Sequence, residues 1–167
     1  MEKSYFRPMT KLEFLQREFP RLLATINPGT PAAWGKMGVQ QMIEHMSDSV
    51  RIANGRDPKD CITPADHLPK MQAFLMSDKP FKENTPNPQM PETPLPLRWD
   101  RMEDAIGELE QEINEFVDVF DQDKAKVITN PFFGDLNFEQ WTQLLYKHSL
   151  HHLRQFGVVP EDAAVSS

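Results

Sequence analysis

His148 and His152 are the side chains best placed to do chemistry. They lie in residues 141–157, WTQLLYKHSLHHLRQFG, a run without proline or interior glycine and long enough for about four helical turns. On such a helix Phe138, Trp141, Leu145 and Phe156 share one side, and His148 and His152 fall on it too. Four residues apart, the two rings stack along one face and can address one ion. His151 falls toward the shoulder, with Lys147 and Arg154 further round. An apolar stripe is a costly place for imidazole, because a neutral ring carries one donor and one acceptor and both need partners. A metal ion resolves this by taking one nitrogen while the other donates to a carbonyl or carboxylate. The competing explanation is a pair of hydrogen-bonded core or surface histidines.

The elements that would carry such a site follow from the rest of the chain. Thr10 and Glu13 form a capping box for a first helix over about 10–26, with Leu12, Leu15, Phe19, Leu22, Leu23 and Ile26 at helical spacing. Pro20 should kink or divide it. A second helix is expected over about 35–53, striped by Val39, Met42, Ile43, Met46, Val50 and Ala53 and stopped by Asn54-Gly55. His45 sits on the shoulder of that stripe, facing a seam between helices, and this helix alone reads it as partly exposed. A third helix is expected over about 98–120, with Glu103, Glu108, Glu110, Glu112 and Glu115 as a solvated face. Residues 129–134, TNPFFG, form a turn, and Asn137 with Gln140 caps a fourth helix over about 137–156.

Between the second and third helices, residues 55–97 are rich in Pro, Asp, Lys, Asn and Thr, with six prolines from Pro80 to Pro96. A short helix over 65–76 is expected there, turning Met71, Phe74 and Leu75 inward. The remainder should be extended, a crossover from one end of a bundle to the other. With no strand pairs evident, the expected fold is all-α: one four-helix domain over 1–167 with a long Pro-rich crossover between helices 2 and 3.

Composition narrows the function classes. The chain has 167 residues, a formal charge of −7 and no basic cluster, which argues against nucleic acid as a partner. No apolar run is long enough to span a membrane, and the N-terminal residues carry no apolar leader core. Cys61 is the single cysteine, so no intrachain disulfide can form, which fits a reducing, cytoplasmic setting. No phosphate-cradling loop, nucleophile elbow or internal repeat is present.

The segments WGKMGVQQMIEHM, NPFFGDLNFEQW and KHSLHHLRQFG together resemble the DinB/YfiT-like metalloenzyme superfamily, in a DinB-like branch of unknown function. The likeness covers nearly the whole chain. It implies a four-helix bundle that binds a divalent ion through three histidines: His45 from the second helix and His148 and His152 from the fourth. Gln155 matches a glutamine that commonly follows the last ligand, and His151 would be a neighbour. Asn130 departs from the pattern, since many members have His before the Pro of this turn.

Three imidazoles leave a position for water or substrate, and they suit Zn, Ni, Fe or Cu alike. The resemblance implies a metal-dependent enzyme acting on a small molecule: a thiol transferase using a low-molecular-weight thiol, or a hydrolase. Glu44 and Asp48, near His45, are candidates to orient a ligand or move a proton, against the simpler reading of solvated carboxylates. Trp34, Trp99, Trp141, Phe132 and Phe133 are candidates to wall a pocket, and the crossover to cover it. The alternatives are a non-catalytic module that binds a metal or small ligand, and a helical interaction protein that forms a homodimer, suggested only by the surplus of Met and Phe.

Overall fold

The computed structural model describes residues 7–160. Residues 1–6, on which part of the leader reading rests, lie outside them, as do residues 161–167 at the other end of the expected domain. The described residues fold into five helices and a small two-stranded sheet. Helix α1 spans residues 11–25 as α-helix Lys11–Glu13, a π-helical stretch Phe14–Glu18 and α-helix Phe19–Thr25. Helix α2 is Val39–Ala53, α3 is Leu68–Met76, α4 is Met102–Gln122 and α5 is Phe138–Gln155. Strands β1 (Ile128–Asn130) and β2 (Gly134–Leu136) pair antiparallel, with Thr129 opposite Asp135.

Two expectations change. The chain is mostly helical rather than all-α, because the expected turn at 129–134 is the tip of a hairpin. Its strands are three residues each, too short to show a period of two. The count is five helices, not four, since the short segment expected in the crossover is a full helix, α3, led in by a 3-10 turn at Ala65–His67.

Local sequence explains the boundaries. Thr10 and Glu13 cap α1 reciprocally, and Asn137 and Gln140 do the same for α5. Pro20 has no N–H to donate and its ring crowds the carbonyl four residues back. The wider π-helical turn lies just ahead of it, and the helix runs on without a break. Helix α2 starts at Val39 rather than near 35. Gly35 takes a left-handed φ of 76°, and the Gly38 N–H donates to Gln41 Oε1 at 2.8 Å as the cap. Helix α4 starts at Met102 rather than 98, because Arg98 and Trp99 are held against α2.

The core is built from the apolar stripes. Helix α2 packs on α4 and α5, α1 packs on the same two, and α3 packs on α5. Phe14, Phe19, Leu23, Met42, Ile43, Met46, Leu109, Ile113, Phe116 and Trp141 are almost completely enclosed. Fully burying such a side chain contributes roughly 1.5–3 kcal/mol, so the interior is where most of the favourable free energy arises. The hairpin is tied in from three sides. Trp141 Nε1 donates to the Ile128 carbonyl at 3.0 Å, the Ile62 N–H to the Pro131 carbonyl at 2.8 Å, and Gln72 Nε2 to the Phe133 carbonyl at 2.9 Å. Among the described residues, no helix is long and apolar enough to cross a membrane.

Candidate metal centre

Helices α2 and α5 bring His45, His148 and His152 together. Their candidate ligand nitrogens all lie within 4.8 Å of one another. His148 Nε2 is 3.1 Å from His45 Nε2 and 2.9 Å from His152 Nε2. His152 is buried, and His45 and His148 are half-buried at the seam. The spacing of four along α5 sets two rings 4.7 Å apart and tilted by 49°, and the shoulder position on α2 turns the third edge-on toward them.

The donor set can be tested against its own hydrogen bonding. An imidazole nitrogen has either one N–H or one lone pair in the ring plane, so it takes part in one well-formed hydrogen bond. His148 Nε2 faces two nitrogens at hydrogen-bond distance. No assignment of neutral tautomers satisfies both contacts. A cation accepting all three lone pairs does, and nitrogens about 2.0–2.1 Å from a zinc ion would lie near this separation from one another. The residues therefore fit a divalent ion.

Electrostatics keeps the rings ready to be ligands. Burial disfavours the imidazolium, and each neighbouring ring adds repulsion. His45 is pushed down to about 4 and His152 to about 3, in both cases mainly by burial. His148 is held well below the usual range by burial and then by His152 and His45. All three are neutral at pH 7.

The surroundings divide into two sides. On one, the Phe81 ring lies 6.5 Å from that of His148 and 6.3 Å from that of His151, and Trp34 lies 5.3 Å from His151. Phe81 also stands 6.4 Å from Phe133. Of the aromatic residues singled out in the sequence, Trp34 lies at this wall and Phe133 behind it. Trp141 is core, and Trp99 binds Glu108 through Nε1 at 2.6 Å. Phe132 is half-buried, and its carbonyl accepts from Thr63 Oγ1. Phe81 was not anticipated, because nothing periodic marks it in the Pro-rich crossover. Lys147, also unanticipated, is buried. Its ammonium donates to the carbonyls of Phe74, Leu75 and Ser77 at 2.9, 3.3 and 3.3 Å, capping α3, and lies 5.2 Å over Phe81.

On the other side, a cleft is lined by His45, Asp48, Met37, Met90, Leu95 and Leu97. The end of the crossover forms one bank of it. Glu44, expected to be solvated, is instead 4 % exposed. It anchors that bank: its Oε1 accepts from the Arg98 N–H at 2.5 Å and its Oε2 from Gln40 Nε2 at 3.2 Å. Arg98 also pairs with Asp48 at 3.0 Å and with Glu108. Asp48 is half-buried, and burial raises its carboxyl pKa although Arg98 opposes the rise. Glu112 likewise leaves the expected solvated face: it is buried, accepting from Asn54 Nδ2 at 2.7 Å and Arg56 Nη1 at 3.2 Å. Asn130 is buried too. Its Oδ1 accepts from the Phe132 and Phe133 N–H groups at 2.9 and 3.0 Å, so here it shapes the hairpin tip.

A mostly helical chain that gathers three imidazoles from two helices defines a helical protein with a candidate metal centre. The family is shown directly: residues 12–156 match the family model of the DinB superfamily, and the chain belongs to it. No curated protein matches the chain, and no solved structure does.

Proposed function

We propose that the protein is a divalent-metal-dependent enzyme acting on a small molecule, with His45, His148 and His152 as the metal's protein ligands. The observation that carries this reading is the pair of contacts at His148 Nε2, which neutral rings cannot both satisfy. Zn, Ni and Fe all suit three imidazoles. The ion would supply Lewis acidity, lowering the pKa of a thiol or water so that either becomes a nucleophile near neutral pH. The reaction is then thiol transfer to a small electrophile, with a low-molecular-weight thiol as co-substrate, or hydrolysis.

The chain's own residues divide the remaining work. His45, His148 and His152 present lone pairs, because burial keeps them neutral. Phe81 and Trp34 exclude water from the His148–His151 side. Asp48, at the cleft beside His45, is the carboxylate available to move a proton. Glu44 is committed to holding the Arg98 N–H and does not serve as a base. A cytoplasmic setting belongs to this reading, supported by the one free thiol of Cys61.

The test is elemental analysis of protein purified without a metal-affinity tag, beside His45→Ala, His148→Ala and His152→Ala. Near-stoichiometric Zn, Ni or Fe that is lost in all three variants is the expected result. No metal in the wild type, with none taken up on dialysis against Zn or Ni, would overturn the reading and leave a metal-free binding module.

A further inference from the structure

Gln155 is 3 % exposed and lies one turn beyond the last histidine of the cluster. Its amide is clasped at both ends: Oε1 is 2.7 Å from His152 Nδ1, and Nε2 donates to the Trp34 carbonyl at 2.8 Å. The backbone of the same residue is held as well, since its carbonyl accepts from the Ala33 N–H at 2.8 Å. Ala33 and Trp34 thus grip Gln155 by main chain and side chain together.

A backbone carbonyl can only accept, so the end of the amide that faces Trp34 must be nitrogen. The end that faces His152 is therefore oxygen. An amide oxygen also only accepts, so His152 Nδ1 must carry the hydrogen. A neutral ring has one N–H, and His152 Nε2 is then left with a lone pair directed at the cluster. The orientation of a side chain on α5 and the tautomer of a ring one turn away both follow from one peptide group in the loop before α2.

We infer that the Trp34 peptide, acting through Gln155, fixes His152 as the Nδ1–H tautomer, making Gln155 the positioning residue that presents His152 Nε2 to a metal ion. Gly35 is part of this device. Its φ of 76° turns the chain just after the Trp34 carbonyl, and a Cβ there would stand 3.2 Å from Gln155 Nε2. The tautomer assignment stands on hydrogen bonding alone, and its consequence for metal affinity rests on the proposed metal centre.

The two are separable by experiment. Long-range proton–nitrogen NMR of metal-free, histidine-labelled protein at pH 8 reads which nitrogen of His152 is protonated. Zinc affinity is read by chelator competition. Gln155→Met keeps the length and removes the acceptor. Gln155→Glu keeps an acceptor that needs no orienting, because both carboxylate oxygens accept. Wild type and Gln155→Glu are expected to show Nδ1–H alone, and Gln155→Met a mixture of tautomers with zinc binding about 10–100-fold weaker. An Nε2–H ring in the wild type, or an unchanged tautomer in Gln155→Met, overturns the inference. If Gln155→Met does not fold, the wild-type spectrum decides. If the spectra behave as expected but the wild type takes up no zinc, the metal reading falls and the tautomer assignment stands.

Discussion

Lys147 shows how an ammonium in the interior can be held by carbonyls and ring faces, with the Asp78 charge favouring its protonated form. Its ammonium meets three carbonyls at the end of α3 and the faces of Phe74 and Phe81. These carbonyls lie where a helix end leaves acceptors, and they are shared: Ser77 also donates to Phe74, and Gln143 Nε2 to Leu75 and Ser77. Lys147→Met would keep much of the packing and remove the charge-assisted hydrogen bonds, leaving the carbonyls to Ser77 and Gln143, a loss of about 1–3 kcal/mol. Urea unfolding should show a lower midpoint with an unchanged slope, and an unaltered midpoint would remove Lys147 from the account of stability. Spacing alone put His148 and His152 on one face of α5, since a separation of four has one meaning on a helix. The fates of Glu44 and Glu112 were hidden because what buries them is remote in sequence. Arg98 is 54 residues from Glu44, and Asn54 is 58 from Glu112. An acid on a predicted helix face carries no mark of a partner that distant.

At the scale of elements, caps and stripes were legible and the hairpin was not. Thr10 with Glu13 and Asn137 with Gln140 are local signals, complete within four residues, and both boxes form. The hairpin depends on contacts that no local pattern announces: a tryptophan on α5, the crossover's Ile62 and Gln72, and Asn130 holding its tip. Its tightest point is Gly134, with φ 78° and both Leu68 methyl groups 3.2 Å from where a Cβ would stand. Gly134→Ala would combine left-handed strain with crowding against α3, costing about 1–3 kcal/mol. A melting temperature within 1 °C of wild type would show that the tip can relax at little cost. The starts of α2 and α4 were read too early for a related reason. Trp34 and Arg98 look compatible with helix until the partners that hold their backbones, Gln155 and Glu44, are known.

At the scale of the whole molecule, the buried histidines tie folding to pH. In the unfolded chain each titrates near 6.5. In the folded chain His45 is at about 4, His152 at about 3 and His148 well below its usual range. Between pH 6.5 and about 4 the unfolded state therefore binds more protons than the folded one. Stability is full above about pH 6.5 and falls as pH drops, by up to about 1.4 kcal/mol per pH unit for each histidine. Metal-free protein should unfold at a clearly lower urea concentration at pH 5 than at pH 7, and His148→Ala should fall less steeply. Equal midpoints for the wild type at the two pH values would contradict neutral burial of the rings.

His45 and His148 stand 103 residues apart in the chain. A ribosome releases His45 long before α5 exists, and the crossover and the hairpin are made in between. Until then His45 has no partner rings, and a single imidazole on one helix is a poor trap for an ion. A site that uses all three rings can form only after synthesis has passed His152. An ion held by all three rings would therefore report that α2 and α5 have found each other.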